Sequence, residues 1–128
     1  MVRAKSCWDP QEKSDGLRIL ATRYWIRGFK KSACDVWMPN LGPSEKLLKS
    51  FVADRISWAD FSRGYRSQML GKDTREPENP RVRNSGQKFT LRLLQRLSKD
   101  RTITVMCSCL EEHHCHRRLL RELLQRKV

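Results

Sequence analysis

Residues 102–124 run TITVMCSCLEEHHCHRRLLRELL, and the architecture follows from them. The first six are an apolar, β-branched run of the length of a strand buried on both faces, as strands are in parallel sheets. At the other end Leu119, Leu120, Leu123 and Leu124 recur at helical spacing, so a helix beginning near Cys115 presents a leucine stripe and leaves Arg118, Arg121, Gln125 and Arg126 to water. Upstream, residues 87–97 repeat helical spacing at Phe89, Leu93, Leu94 and Leu97. Helix, buried strand, short loop, helix is the order of a small α/β layer fold with a mainly parallel central sheet of about four or five strands, flanked by helices. In such folds ligands gather outside the carboxyl ends of the strands, which places residues 107–117 at the expected site.

The remaining elements fit the same plan. Residues 2–8 alternate small or apolar positions with Arg3 and Lys5, a half-buried strand that Asp9-Pro10 ends. Residues 17–22 read as a second strand, 11–16 as a polar connection and 23–31 as an ordered loop. Pro43-Ser44 opens a helix with Leu47, Leu48, Phe51 and Val52 on one face and Ser44 as its N-cap. A second helix carries Ser57 and Asp60 at its start, Trp58, Phe61, Tyr65 and Met69 on its face, and Gly71 at its stop. Residues 72–86, with Pro77 and Pro80 among charges, read as an exposed loop.

One hundred and twenty-eight residues make one ordinary domain, here 1–128. Lys plus Arg is 27 against 14 acidic residues, a net charge of +13 that makes anions the first partners to consider. No apolar run reaches the roughly 18 residues of a membrane span, and no hydrophobic stretch follows Arg3 and Lys5 as in a signal peptide; a soluble, cytoplasmic protein is the expectation. Five cysteines, three of them crowded into residues 107–115, read as thiols and not as a disulfide framework.

Those thiols sit among residues that could carry chemistry. Cys115 at a helix N-terminus meets free N–H groups and the positive end of the dipole, which favour a thiolate, and His116 beside it could relay a proton. Arg117 and Arg118 in the first turn meet the wrong end of that dipole, and a bound anion would cancel the cost. Cys107, Cys109, His113 or His114, and Cys115 are all zinc-type ligands, but the C-x-C pair lacks the C-x2-C spacing of a zinc knuckle and has no second pair elsewhere, so no metal or other cofactor is expected. A phosphatase loop would need arginine where Cys115 follows Cys109. A purely structural reading, with Glu111 and Glu112 pairing the arginines and the cysteines packed as small hydrophobes, stays open.

The amino-terminal half adds Asp15, Arg18 and the run Arg23-Tyr24-Trp25-Ile26-Arg27-Gly28-Phe29-Lys30-Lys31. Aromatics interleaved with cations suit stacking on a base while neutralising phosphate. The same pattern also arises when Tyr24 and Trp25 fill core and the cations are merely solvated. At Gly42-Pro43-Ser44 the bare amides of a helix start would accept a phosphate, though a helix cap explains Ser44 without one.

In their order, D-G-L-R (15–18), R-Y-W-I-R-G-F-K-K (23–31), D-V-W-M (35–38), G-P-S (42–44), F-S-R-G-Y-R-S-Q-M (61–69) and V-M-C-S-C-L-E-E-H-H-C-H-R (105–117) resemble the DUF488 family, a domain of unknown function, nearest its short YeaO-like branch. Ile26 stands where that family usually has proline, and Cys115-His116-Arg117 is nearer the C-H-R of the wider family than the N-H-A of the short branch. The resemblance implies a compact α/β fold with a pocket built from both motif clusters, and no established reaction. The combined expectation is a pocket of Asp15, Arg18, Arg23, Trp25, Arg27 and Ser44 with Cys107, Cys115, His116 and Arg117, binding an anionic nucleotide, phosphate or nucleic acid. In an enzyme Cys115 would be the nucleophile, His116 or Asp15 the proton carrier, and the arginines the clamp on phosphate. A non-catalytic nucleic-acid-binding module and a thiol redox or sulfur-handling protein are the alternatives.

Overall fold

A computed structural model describes residues 1–71, 73–75, 83–109 and 114–126. Four strands, β1 (Val2–Ser6), β2 (Leu17–Leu20), β3 (Val36–Trp37) and β6 (Ile103–Cys107), form an all-parallel sheet in the order β1-β6-β2-β3. The helices are α1 (Glu45–Val52), α2 (Trp58–Leu70), α3 (Lys88–Asp100) and α4 (His116–Leu124). As residues 102–107 lead one to expect, β6 lies inside the sheet, with Val105 between Ala4 and Ile19, and every one of its residues is buried.

Alternation along β6 divides the interior into two layers. Ile103 and Val105 pack with Val2, Ile19 and Ala21 under the apolar faces of the helices, including Phe61, Tyr65 and Met69 of α2 and Leu119, Leu120, Leu123 and Leu124 of α4. Met106 instead joins Leu20, Cys7 and Phe29, under a loop layer to which Trp25, Ile26 and Cys34 contribute. One face of the sheet is thus roofed by helices and the other by irregular chain.

Local signals set most boundaries. Ser44 accepts from the Leu47 amide at 3.3 Å and Ser57 from the Asp60 amide at 3.1 Å, capping α1 and α2, and Gly71 ends α2. Gly16 has φ of +63°, and a Cβ there would lie 2.0 Å from the Thr102 carbonyl oxygen, so glycine lets the chain enter β2 against the start of β6.

Three features differ from the sequence reading. β3 is only two residues long, too short for periodicity to reveal, and both Val36 and Trp37 are exposed at the sheet edge. Within 72–86, β4 (Asp73–Arg75) pairs antiparallel with β5 (Arg83–Ser85) where a loop is expected; residues 72 and 76–82 lie outside the described residues. In α3, Leu91 and Leu94 are the buried pair, whereas Phe89 and Leu93 are 54% and 58% exposed. Leu94 and Leu97 of the expected stripe do pack on the core, but the helix carries apolar residues on two adjacent stripes and packing takes Leu91 in place of Phe89 and Leu93.

Candidate functional site

At the carboxyl end of the sheet, β6 delivers Cys107, the following turn delivers Cys109, and the first residues of α4 deliver Cys115 and His116. One ligand-type atom from each of these four side chains lies within 4.8 Å of all the others. Cys115 is the N-cap of α4 but makes no capping hydrogen bond with its side chain. His116 is buried, and its Nε2 lies 2.5 Å from the Ala21 carbonyl oxygen. A carbonyl only accepts, so Nε2 carries a proton and Nδ1 is left with a lone pair to give. Tyr65, fully buried, packs against the imidazole at 5.7 Å and donates its hydroxyl to the Leu41 carbonyl at 2.7 Å, which fixes the ring wall behind His116.

Arg117 reaches back from α4 to donate from Nη1 to Cys109 O at 2.8 Å and to Cys107 Sγ at 3.4 Å. Its side chain is buried, and Nε has no partner among the described residues. Hydrogen bonds from Cys109 and Cys115, the largest influence, hold the Cys107 thiol far below its usual range against the opposing effect of burial. Donating to that sulfur raises Cys109, and Cys115 is raised for the same reason, with burial adding to both. Within the cluster these hydrogen bonds favour the thiolate at Cys107 and the protonated thiol at Cys109 and Cys115. At Cys115 the neighbouring thiols and burial oppose the effect of the helix terminus.

A cavity of about 250 Å³ opens onto this cluster. Cys107, Ser108, Cys109 and His116 form its floor, and Thr22, Arg23, Tyr24, Trp25 and Ile26 with Pro43 and Leu48 form its wall. Arg23 donates to the Pro43 and Gly42 carbonyls at 3.0 and 3.1 Å, which anchors the wall and leaves the other N–H groups of its fork unspent. Gly42 permits this contact, since a Cβ would lie 2.3 Å from the Arg23 amide nitrogen. Trp25 meets Trp37 and Phe29 edge to face at 5.5 and 5.6 Å, and it also lines a second, shallower hollow with Lys31, Cys34, Asp35 and Trp37.

Of the residues expected at the site, Arg23, Trp25, Cys107, Cys115, His116 and Arg117 converge on the cavity or on the thiol cluster beneath it. Asp15 and Arg18 do not. Asp15 is fully buried, accepts from Lys5 at 3.0 Å, pairs with Arg18, and lies 3.5 Å from Arg3, while Arg18 Nε donates to Ala33 O at 2.8 Å. Thr104 Oγ1 donates to Asp15 O at 2.7 Å, which puts this ion-pair network under the loop layer, where Asp15 has no thiol partner. Arg27 is exposed, and Ser44 is a helix cap outside the cavity. His114 packs on the Trp58 ring at 5.1 Å, and Glu111, Glu112 and His113 lie outside the described residues. Tyr24 lines the cavity as one of the interleaved aromatics, whereas the lining by Thr22, Ser108 and Leu48 carried no signal in the sequence beyond proximity to the motifs.

Comparison with known proteins assigns the chain to a family. A family described as the active DUF488-N3 subclade matches residues 2–128. The chain belongs to the DUF488 family. This DUF488 protein is 36% identical over 95 residues to the uncharacterised protein YeaO of Escherichia coli K12, an alignment covering 73% of this chain and 80% of that one. No solved structure matches it. Among the described residues no helix is long and apolar enough to cross a membrane.

Proposed function

We propose that this DUF488 protein binds an anionic nucleotide, or a nucleotide unit of a nucleic acid, in the cavity at the carboxyl end of its sheet. The observation that carries the reading is the pairing of an aromatic and cationic wall, Arg23, Tyr24 and Trp25, with a floor of reactive side chains, Cys107, Cys109 and His116. Small-ligand sites run from about 300 to 1,000 Å³, so a cavity of about 250 Å³ suits one ring or one phosphate with the rest of the ligand outside. Stacking on Trp25 and a charge-assisted bond from Arg23 supply the two recognition elements of a nucleotide. The net charge of +13 adds a field that draws polyanions to the same molecule. A competent site also suits the description of the subclade as active.

Titration with a nucleoside monophosphate and with a fluorescent single-stranded oligonucleotide, at several salt concentrations, tests this. Trp25→Ala is expected to weaken both by about 1–3 kcal/mol, the usual worth of a base stacked on an aromatic ring. Arg63→Ala removes a positive charge from the exposed side of α2, away from the cavity, and should leave mononucleotide binding unchanged. Equal losses in the two variants would mean a diffuse basic surface and favour the non-catalytic nucleic-acid-binding module. No binding of either probe at low salt would remove nucleotides altogether.

A further inference from the structure

The four ligand-type side chains beneath the cavity make more than a reactive floor. We infer that Cys107, Cys109, Cys115 and His116 form a mononuclear Cys3His zinc site that clamps the end of β6 to the start of α4.

Geometry is the first support. Two sulfurs bound to one zinc at about 2.3 Å lie about 3.8 Å apart at the tetrahedral angle. With all four ligand atoms already within 4.8 Å of one another, the widest pair has to close by only about 1 Å. The span leaves room for a single ion. Three sulfurs and one imidazole are also the donor set of closed structural zinc sites, and thiolate donors select against calcium or magnesium.

The surroundings supply what such a site requires beyond its ligands. Ligating histidines donate their second ring N–H to a backbone carbonyl or a carboxylate, which fixes the tautomer. The Nε2 contact with Ala21 O does this and reserves Nδ1 for the metal. Zn2+ with three thiolates carries a net charge of −1, and the thiol protons leave to solvent on binding. Arg117, buried and donating to Cys107 Sγ, brings the centre to neutrality. This accounts for a buried cation in the first turn of α4, where the helix dipole opposes it. The C-x-C and Cys-His pairs stand at the end of β6 and the start of α4, two successive elements whose geometry brings the ligand atoms together, so knuckle spacing is not required.

The assignment does not depend on what the cavity binds, because metal content is read on ligand-free protein. Chain purified in reductant without chelator is expected to hold one zinc, and X-ray absorption to show three sulfurs near 2.3 Å and one nitrogen near about 2.0–2.1 Å. Cys109→Ser should weaken zinc retention against a chromophoric chelator by about tenfold or more, while Cys34→Ser should not change it. Cobalt added to the metal-stripped wild-type chain should give the intense visible bands of a tetrahedral thiolate complex, a readout that survives if Cys109→Ser fails to fold. Absence of retained zinc after saturation and gel filtration would overturn the site. So would equal alkylation of Cys107, Cys109 and Cys115 with and without zinc, or unchanged zinc affinity in folded Cys109→Ser.

Discussion

Asp15 shows how a charged side chain in a motif can be structural. Burial alone would raise its carboxyl, but the Glu12 amide and the Lys5 and Arg18 side chains outweigh that and hold it below its ordinary 3.8. A depressed carboxyl contributes stability that is fully present above the unfolded value, near about 3.9, and lost as pH falls through the folded one. Asp15→Asn should therefore be less stable than wild type at pH 7 by about 3–5 kcal/mol, because it strands Arg18. Urea unfolding at a series of pH values should show the gap narrowing below about pH 4. A gap independent of pH would mean the aspartate acts through packing alone. The sequence shows Asp15 three residues before Arg18, which fits a site as well as a salt bridge; side-chain direction decides, and only the fold sets it. Cys107 illustrates the converse, since its thiol is held low by hydrogen bonds from Cys109 and Cys115, close neighbours in the chain whose side-chain directions no spacing rule gives.

Among elements, α3 offers the sharpest contrast. Leu94 is buried against the sheet and Leu93, its neighbour, is turned to water. Leu94→Ala should cost about 2–5 kcal/mol by thermal or urea melting, and Leu93→Ala no more than about 0.5 kcal/mol. The reverse order would mean the helix is rotated. At the start of α2, Ser57→Ala should cost about 1 kcal/mol through the lost cap on the Asp60 amide. Helix caps and the buried strand were legible in the chain because each rests on a short local rule: a serine before an apolar run, or an unbroken β-branched segment. β3 and the stripe of α3 were not, because one is two residues long and the other is chosen by tertiary packing among equals. For the site, local rules located both clusters, and long-range pairing alone sorted Arg23 and Trp25 into the cavity and Asp15 and Arg18 out of it.

For the whole molecule, the two layers over the sheet differ in kind. Helices close one side and a loop layer the other, so protection from hydrogen exchange should peak at the β6 amides and fall through residues 23–34. Deuterium exchange followed by peptide mass would check this, and uniform protection would contradict it. The +13 charge acts at the same scale. Binding of single-stranded oligonucleotide should weaken with salt at a log–log slope of about −0.7 per phosphate neutralised, whereas a mononucleotide held by Arg23 and Trp25 should show a much shallower dependence.

The place of β6 between β1 and β2 also governs when the protein becomes itself. During synthesis from the amino terminus, residues 2–6 and 17–20 emerge with the strand that must separate them still a hundred residues of translation away from the first. Until residues 103–107 arrive, the two nascent strands have no shared partner, and a parallel pairing of such sequence separation is slow to close. The last fifth of the chain supplies the keystone strand, the helix that roofs it and three of the five thiols together. Nascent chains arrested before residue 103 should thus remain open to protease, and those released past α4 should become resistant in one step.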